Sequence, residues 1–281
     1  MTLCIARKIN GVPHFASDSR FSFGDDEYID FGIKVFSVPV KIYAPSLESG
    51  ITELYKSFTI GMCVAGSTTN AYLVKEAINE ILQYLQFAPG YTDCSMIGIC
   101  EVIKKVFQKT SRDICAILRN HGISGIMITG NCPETNTFRT FKFTLDTTDY
   151  PIQAEYEEIL IVDGIEFMGS GEDIAQELHE ANPSWNSLKI IKEAINSNRD
   201  SSIGGGLQYG EYNVNRDFII RGVQDYELDE NGYPQYKMML RGVELYKDEF
   251  EAGDSDFHIA YSFLTPFQSE IDEIWKQKGI E

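Results

Sequence analysis

A hydroxyl, a carboxylate and an ammonium stand near the front of this chain, at Thr2, Asp18 and Lys34. Met1 precedes the small side chain of Thr2, the context in which methionine aminopeptidase removes an initiator, so the mature chain is expected to begin with Thr2. It would then carry a free α-amine beside its own hydroxyl. An unperturbed α-amine titrates near ~7.7–8.0, so part of it is neutral at pH 7 and takes the hydroxyl proton directly or through a water; nucleophile and base share one residue. Lys34 lies in DFGIKVFSV, where Ile33, Val35 and Phe36 read as the start of a buried strand, and an ammonium there needs a partner. Asp18 is the obvious one. A Lys34 ammonium held near Thr2 by Asp18 would lower the pKa of the threonine hydroxyl and amine. These three residues leave a second reading open, in which Thr2 is merely a second residue and Asp18 and Lys34 form a structural ion pair.

Local patterns supply elements to position them. LCIARKIN and PHFASDSR flank Gly11-Val12 as a hairpin, with Asp18 closing its second run. Two strand-like runs follow between Lys34 and Gly66, separated by the Pro/Ser/Gly segment from Ala44 to Gly50, read as a surface loop or as an insertion that caps the site or mediates a contact. From an N-cap at Thr68 or Thr69, helical spacing places Leu73, Ala77, Ile78, Ile81, Leu82 and Leu85 on one stripe until Ala88-Pro89-Gly90. That helix begins just after Gly66, so its free amides and dipole point where an oxyanion would form; a strand-to-helix turn that needs glycine is the other reading. A second helix is predicted from about Cys94 to Leu118, with Ile97, Cys100, Ile103, Val106, Phe107, Ile114 and Leu118 along its apolar stripe. ISGIMITGNC, NTFRTFKFTLD and EYEEILIVDGIEFM read as three strands, EDIAQELHEA and SLKIIKEAINSN as two helices, and LQYGEYNV, DFIIRGVQDYEL and QYKMMLRGVELY as three more strands, with Asn231-Gly232 as a hairpin turn. An acidic stretch, DEFEAGDSDF, and a helical PFQSEIDEIWKQ close the chain. Periodicity alone gives an α+β fold, consistent with two antiparallel sheets packed together and helices outside them.

Composition narrows the function. Over 281 residues, 24 Lys and Arg against 42 Asp and Glu give a formal charge of −18, without the basic patch that nucleic acid or an anionic membrane demands. Six cysteines (Cys4, Cys63, Cys94, Cys100, Cys115 and Cys132) include no CxxC pair, which suits reduced, buried thiols in a cytoplasmic protein and neither a disulfide frame nor a zinc site. No signal peptide and no apolar run of about 18 residues is apparent. His179 in ELHE is not a HExxH motif, and His14, His121 and His258 read as structural or solvated. Gly169-Ser170-Gly171 is not a GxSxG elbow, and Gly204-Gly205-Gly206 lacks the Lys-Ser/Thr of a phosphate loop. No cofactor or metal is expected.

At the level of whole motifs the chain resembles the proteasome β-type subunits, members of the N-terminal nucleophile hydrolases. The resemblance is carried by Thr2, Asp18-Ser19-Arg20 with Gly24 beyond, Lys34, Val64-Ala65-Gly66, Gly169-Ser170-Gly171, and Asn198-Arg199-Asp200 before Ser201-Ser202-Ile203-Gly204-Gly205. A long tail also resembles the bacterial ancestral β-subunit branch. The resemblance implies a four-layer αββα sandwich, a hydrolase domain over 1–215, and a C-terminal extension over 216–281 packed on the same domain or on a neighbouring subunit. It implies a threonine-type peptidase acting on peptides or unfolded protein within a homo-oligomeric ring or helical assembly, with an unfoldase or adaptor as a further partner. Thr2 is then the nucleophile, Asp18 orients Lys34, the Gly66 amide receives the oxyanion, Ser170 and Asp200 hold the amine and its water, and Ser22 binds extended substrate. Two departures stand out: Ile203 occupies the place of a serine beside the amine, whose hydrogen bonding is then either rebuilt by Ser201 or Ser202 or left incomplete, and Ser67 that of a second glycine. Two other functions fit the same motifs: hydrolysis of a small-molecule amide, and a catalytically silent ring-forming scaffold.

Overall fold

The computed structural model describes residues 2–23, 27–45, 52–148, 151–245 and 261–279. Gly24, His258 and the acidic stretch 248–257 lie outside these, as does most of the segment between Ala44 and Gly50. The chain opens with the hairpin β1 (Cys4–Ile9) and β2 (Val12–Ser17). Asn10 and Gly11 both take positive φ, 52° and 77°, the turn whose twist matches that of the flanking strands. Asp163 fixes it from outside by accepting the Asn10 and Gly11 amides at 2.7 and 2.8 Å. β3 (Phe21–Ser22) and β4 (Tyr28–Ile29) form a small ribbon, and β5 (Val35–Pro45) and β6 (Thr52–Gly66) a long hairpin.

Next come α1 (Thr68–Ile81), the short β7 (Leu85–Gln86) and α2 (Met96–Leu118), then β8 (Ser124–Asn131), β9 (Phe138–Asp146), β10 (Gln153–Ile159) and β11 (Gly164–Met168). α3 (Glu172–Ala181) and α4 (Ser187–Asn196) precede β12 (Gln208–Tyr212), β13 (Phe218–Leu228), β14 (Pro234–Leu240), β15 (Val243–Leu245), β16 (Phe263–Leu264) and α5 (Gln268–Gln277). The fold is mixed α+β. One sheet runs β11-β1-β2-β12-β13-β14-β15 with β16 beside β13, the other β10-β9-β8-β6-β5-β7.

Alternation along the strands sorts the apolar residues into three clusters. Leu3, Ile5, Ala16 and Phe167 pack with Ile174, Ile191 and Ile271 of α3, α4 and α5. Ile60, Met62, Val64, Ile126 and Ile128 pack with Val74, Ile78, Ile103 and Phe107 of α1 and α2. The intervening positions, Cys4, Ala6, Phe15, Cys63, Ala65 and Met127, meet in a third cluster built from both sheets. All six cysteines are free and buried. Among the described residues no helix is long and apolar enough to cross a membrane.

Three local readings need correction. EYEEILIVDGIEFM is two strands in different sheets: Leu160 turns at φ 53°, and Lys8 donates to the Leu160 carbonyl at 3.0 Å, holding a turn that carries exposed Ile161 and Val162. QYKMMLRGVELY is also broken, by Arg241-Gly242. The α1 stripe is rotated: Leu73 and Ile81 are exposed while Asn70, Ala71, Val74 and Ile78 are buried, and the helix starts at Thr68 with Ser67 as N-cap. Asn70 turns inward because its amide donates to the Gly122 carbonyl at 2.7 Å and to Ser111 Oγ at 3.0 Å.

His14 is structural in its setting: its Nε2 lies 3.1 Å from Ser187 Oγ, and burial, aided by Arg7, pushes its pKa down to about 4. Unfolded, it titrates near ~6.5. The neutral form is favoured in the fold, so its contribution is intact above about 6.5 and is lost as pH falls toward about 4. Urea unfolding at pH 7.5 and 5 should show His14→Gln losing about 2 kcal/mol less than the parent between the two values. Equal losses would refute this assignment.

Candidate active site

Asp18 sits just past β2 and gathers the front of the molecule around one carboxylate. Its Oδ1 accepts from Thr2 Oγ1 at 2.9 Å, from the Leu3 amide at 2.9 Å and from Lys34 Nζ at 2.7 Å. Its Oδ2 accepts the Arg20 and Gly204 amides, both at 3.1 Å. Asp18 and Lys34 are fully buried and Thr2 is 2% exposed. Three residues spread over the first 34 thus meet at one oxygen, because β1 and β2 are hairpin partners and Lys34 leads into β5 on the facing sheet.

Lys34 is aimed by a residue that sequence reasoning passed over. Gln208, fully buried at the start of β12, accepts the Lys34 and Val35 amides at 2.9 and 3.3 Å and donates to the Gly32 and Asp18 carbonyls at 2.7 and 3.2 Å. A signal for it exists: in QYGEY, Gln208 shares the inward face with Gly210 and Tyr212. Asp30 was missed as well, and Ser19, present in the motif, was given no role. Ser19 Oγ accepts the Gly206 amide at 2.7 Å and donates to the Asp30 carbonyl, and Asp30 grips Arg20 at 2.6 and 2.9 Å.

Gly66 ends β6 at φ 90°, where a Cβ would come 2.6 Å from the Ile123 carbonyl oxygen. It lines the same small cavity as Thr2, Phe21, Lys34, Ala71 and Tyr72, about 10 Å³ in volume. That is room for roughly one water. Gly169, at φ 111°, passes so close to Thr2 that a Cβ would lie 2.1 Å from the Thr2 carbonyl oxygen, which accepts the Gly171 amide at 3.3 Å. Between these glycines the Ser170 hydroxyl shares a 2.8 Å hydrogen bond with Ser202, whose hydroxyl and amide donate to Asp200 Oδ1 at 2.6 and 2.8 Å. Burial raises the Asp200 carboxyl, but the bonds from Ser202 and Ser170 outweigh it and leave the pKa below the usual value. Of the two serines proposed to replace one at Ile203, it is buried Ser202 that joins this network; Ser201 is exposed. Ser22 stands apart in β3, its Oγ shielded and without a hydrogen-bond partner among the described residues.

The described molecule is thus a mixed α+β fold whose second residue shares a buried carboxylate with a lysine. Among solved structures, the chain is similar to Anbu (ancestral β-subunit) from Yersinia bercovieri, with a TM-score of 0.52 at 15% identity over 78% of this chain and 86% of that one. It is similar to the Anbu complex from Pseudomonas aeruginosa, solved as a helical assembly, with a TM-score of 0.52 at 14% identity over 89% of each chain. A mutant of Anbu from Hyphomicrobium sp. strain MC1 also gives 0.52 at 14% identity, over 100% of this chain and 98% of that one. At such identities the likeness is one of fold: the chain has the fold of the ancestral β-subunits. No family model and no curated protein matches the sequence.

Replacing Asp18 by Asn strands the Lys34 ammonium in the interior. Breaking a buried pair in this way costs about 3–5 kcal/mol. Denaturant unfolding should show Asp18→Asn destabilised by that order, and Lys34→Met added to it should recover part of the loss. A double variant no more stable than Asp18→Asn would contradict the coupling.

Proposed function

We propose that this chain is a threonine-type N-terminal nucleophile hydrolase that cleaves peptide bonds. The observation that carries the reading is the shared Asp18 Oδ1, which holds Thr2 Oγ1 and Lys34 Nζ on one atom inside the protein. An ammonium so close to a hydroxyl favours its deprotonated form. Removal of Met1 frees the Thr2 amine. Thr2 Oγ1 then attacks the scissile carbonyl carbon, the amine takes the hydroxyl proton and passes it to the leaving amine, and water releases the acyl group from the ester. The Gly66 amide receives the oxyanion at the mouth of α1. Ser170, Asp200 and Ser202 hold the amine and its water, and Ser22 aligns extended substrate in the manner of an added strand.

The three apolar clusters are read as the seams of a four-layer αββα sandwich, with 1–215 as the hydrolase domain and 216–281 as an extension that continues its sheet. The fold shared with the Anbu proteins, one of them solved as a helical assembly, supports self-assembly into a homo-oligomeric ring or helix; the same reading has the chain act in the cytoplasm on peptides or unfolded protein, with an unfoldase or adaptor as partner.

Intact mass before and after a peptide epoxyketone tests the reading, because a stable adduct needs both the N-terminal amine and the adjacent hydroxyl. Loss of Met1 and addition of one probe are expected, with no adduct in Thr2→Ala. Peptide turnover should fall at least ~1,000-fold in Thr2→Ala and nearly vanish in Lys34→Ala; wild-type rates in either refute the mechanism. A chain that keeps Met1 would favour a silent scaffold, and a processed chain that ignores the probe a small-amide hydrolase.

A further inference from the structure

Arg241 and Gly242 form the two-residue turn between β14 and β15, both at positive φ, 51° and 84°. Gly242 is needed there, since a Cβ would lie 2.3 Å from Ser19 Cβ, so the turn is seated on the residue next to Asp18. Arginine is not favoured at its half of such a turn, where Asn, Asp or Gly is usual. Its side chain lines a cleft of about 770 Å³ between β5 and β6 on one side and β13 and β14 on the other.

The guanidinium is half-buried. Among the described residues it makes no hydrogen bond or ion pair, and burial pushes its pKa below the usual value. Among the described residues lining the cleft Asp217 is the sole carboxylate, and its Oδ1 is taken by the Thr59 amide at 3.1 Å. Tyr261 spends its hydroxyl on the Ile220 carbonyl at 2.7 Å. A cation withdrawn from water without a partner is costly, and a ligand anion offsets that cost. Burial raises the pKa of the Tyr72 phenol, which lines the Thr2 cavity, and the charge of Arg241 opposes that rise, so the guanidinium is within electrostatic reach of a residue of that cavity.

We propose that this cleft binds a carboxylate and that Arg241 is its anchor, so that the chain selects peptides carrying an acidic side chain or a free C-terminus. A planar guanidinium takes a carboxylate through two parallel hydrogen bonds. The choice of a peptide as carrier rests on the peptidase reading. In a chain of net charge −18, whose long-range field repels acidic ligands, the preference must come from this local contact.

The test uses the full chain carrying Thr2→Ala, so that ligand is not consumed, and three labelled decapeptides: one with Glu and a free C-terminus, one with Gln in its place, and one with Gln and an amidated C-terminus. Fluorescence anisotropy should give the first at least ~10-fold tighter binding than the third. The second peptide tells which carboxylate is read. Adding Arg241→Gln should abolish the preference while leaving the third peptide's affinity unchanged and the melting temperature no lower, and Arg241→Lys should keep part of it. Equal binding of the three peptides, binding of none, or a preference that survives Arg241→Gln overturns the proposal. If the preference holds but the parent chain cleaves none of the peptides, the peptidase reading fails and the carboxylate site stands; cleavage without an Arg241-dependent preference removes the site alone.

Discussion

The ion pair between Asp18 and Lys34 is the constraint on which the described structure turns. Neither side chain reaches water. Desolvating a single carboxylate or ammonium costs several kcal/mol even after relaxation, so the pair persists only if its remaining hydrogen-bonding capacity is filled. Five donors converge on the Asp18 carboxylate, from Thr2, Leu3, Arg20, Lys34 and Gly204. Four of those donors lie within the first 34 residues and the fifth comes from Gly204, far along the sequence. The electrostatic requirement therefore acts as a register pin: slipping β2 against β1 by one residue would send Asp18 to the wrong face and leave the ammonium uncompensated.

Glycine closes the same region sterically. Gly169 and Gly66 sit at positive φ where backbone meets backbone, the first against the Thr2 carbonyl and the second against Ile123. A side chain at either place would push the neighbouring strand outward by more than the hydrogen bonds around Thr2 tolerate. Packing and electrostatics thus fix the same few ångströms from two directions, and the oxygen of Thr2 has little room to be anywhere else.

How much of this the sequence reveals depends on whether the cause is local. The β1–β2 hairpin is legible because its turn residues and its alternation lie within 14 residues of one another, and Lys34 announces itself as a cation inside an apolar run. The break at Leu160 is poorly legible: ILIV contains no turn-former, the Asp163-Gly164 pair comes only after it, and the turn is held by Lys8 and by the Asn10 and Gly11 amides that donate to Asp163, all from the β1–β2 hairpin. The α1 face was misjudged for a related reason. Apolar spacing favours Leu73 and Ile81, but the buried hydrogen bonds of Asn70 to Gly122 and Ser111 decide which side turns inward. Gln208 lies between these cases, since its inward phase is in the sequence while its partners are not.

Ile203 shows how a departure from a motif is absorbed. Its side chain is 3% exposed, belongs to the apolar cluster under α3 and α4, and occupies the space a Cβ on Gly171 would need, at 2.4 Å. A hydroxyl at that position would be directed into hydrocarbon. One residue earlier, the backbone turn at Asp200 presents Ser202 to both Ser170 and the Asp200 carboxylate, and the Ser202 amide reinforces the same acceptor. A polar network therefore stands one residue before Ile203, with the aliphatic side chain filling the core behind it. Position 203 alone shows only hydrocarbon; the turn taken as a unit shows a hydroxyl one residue before it.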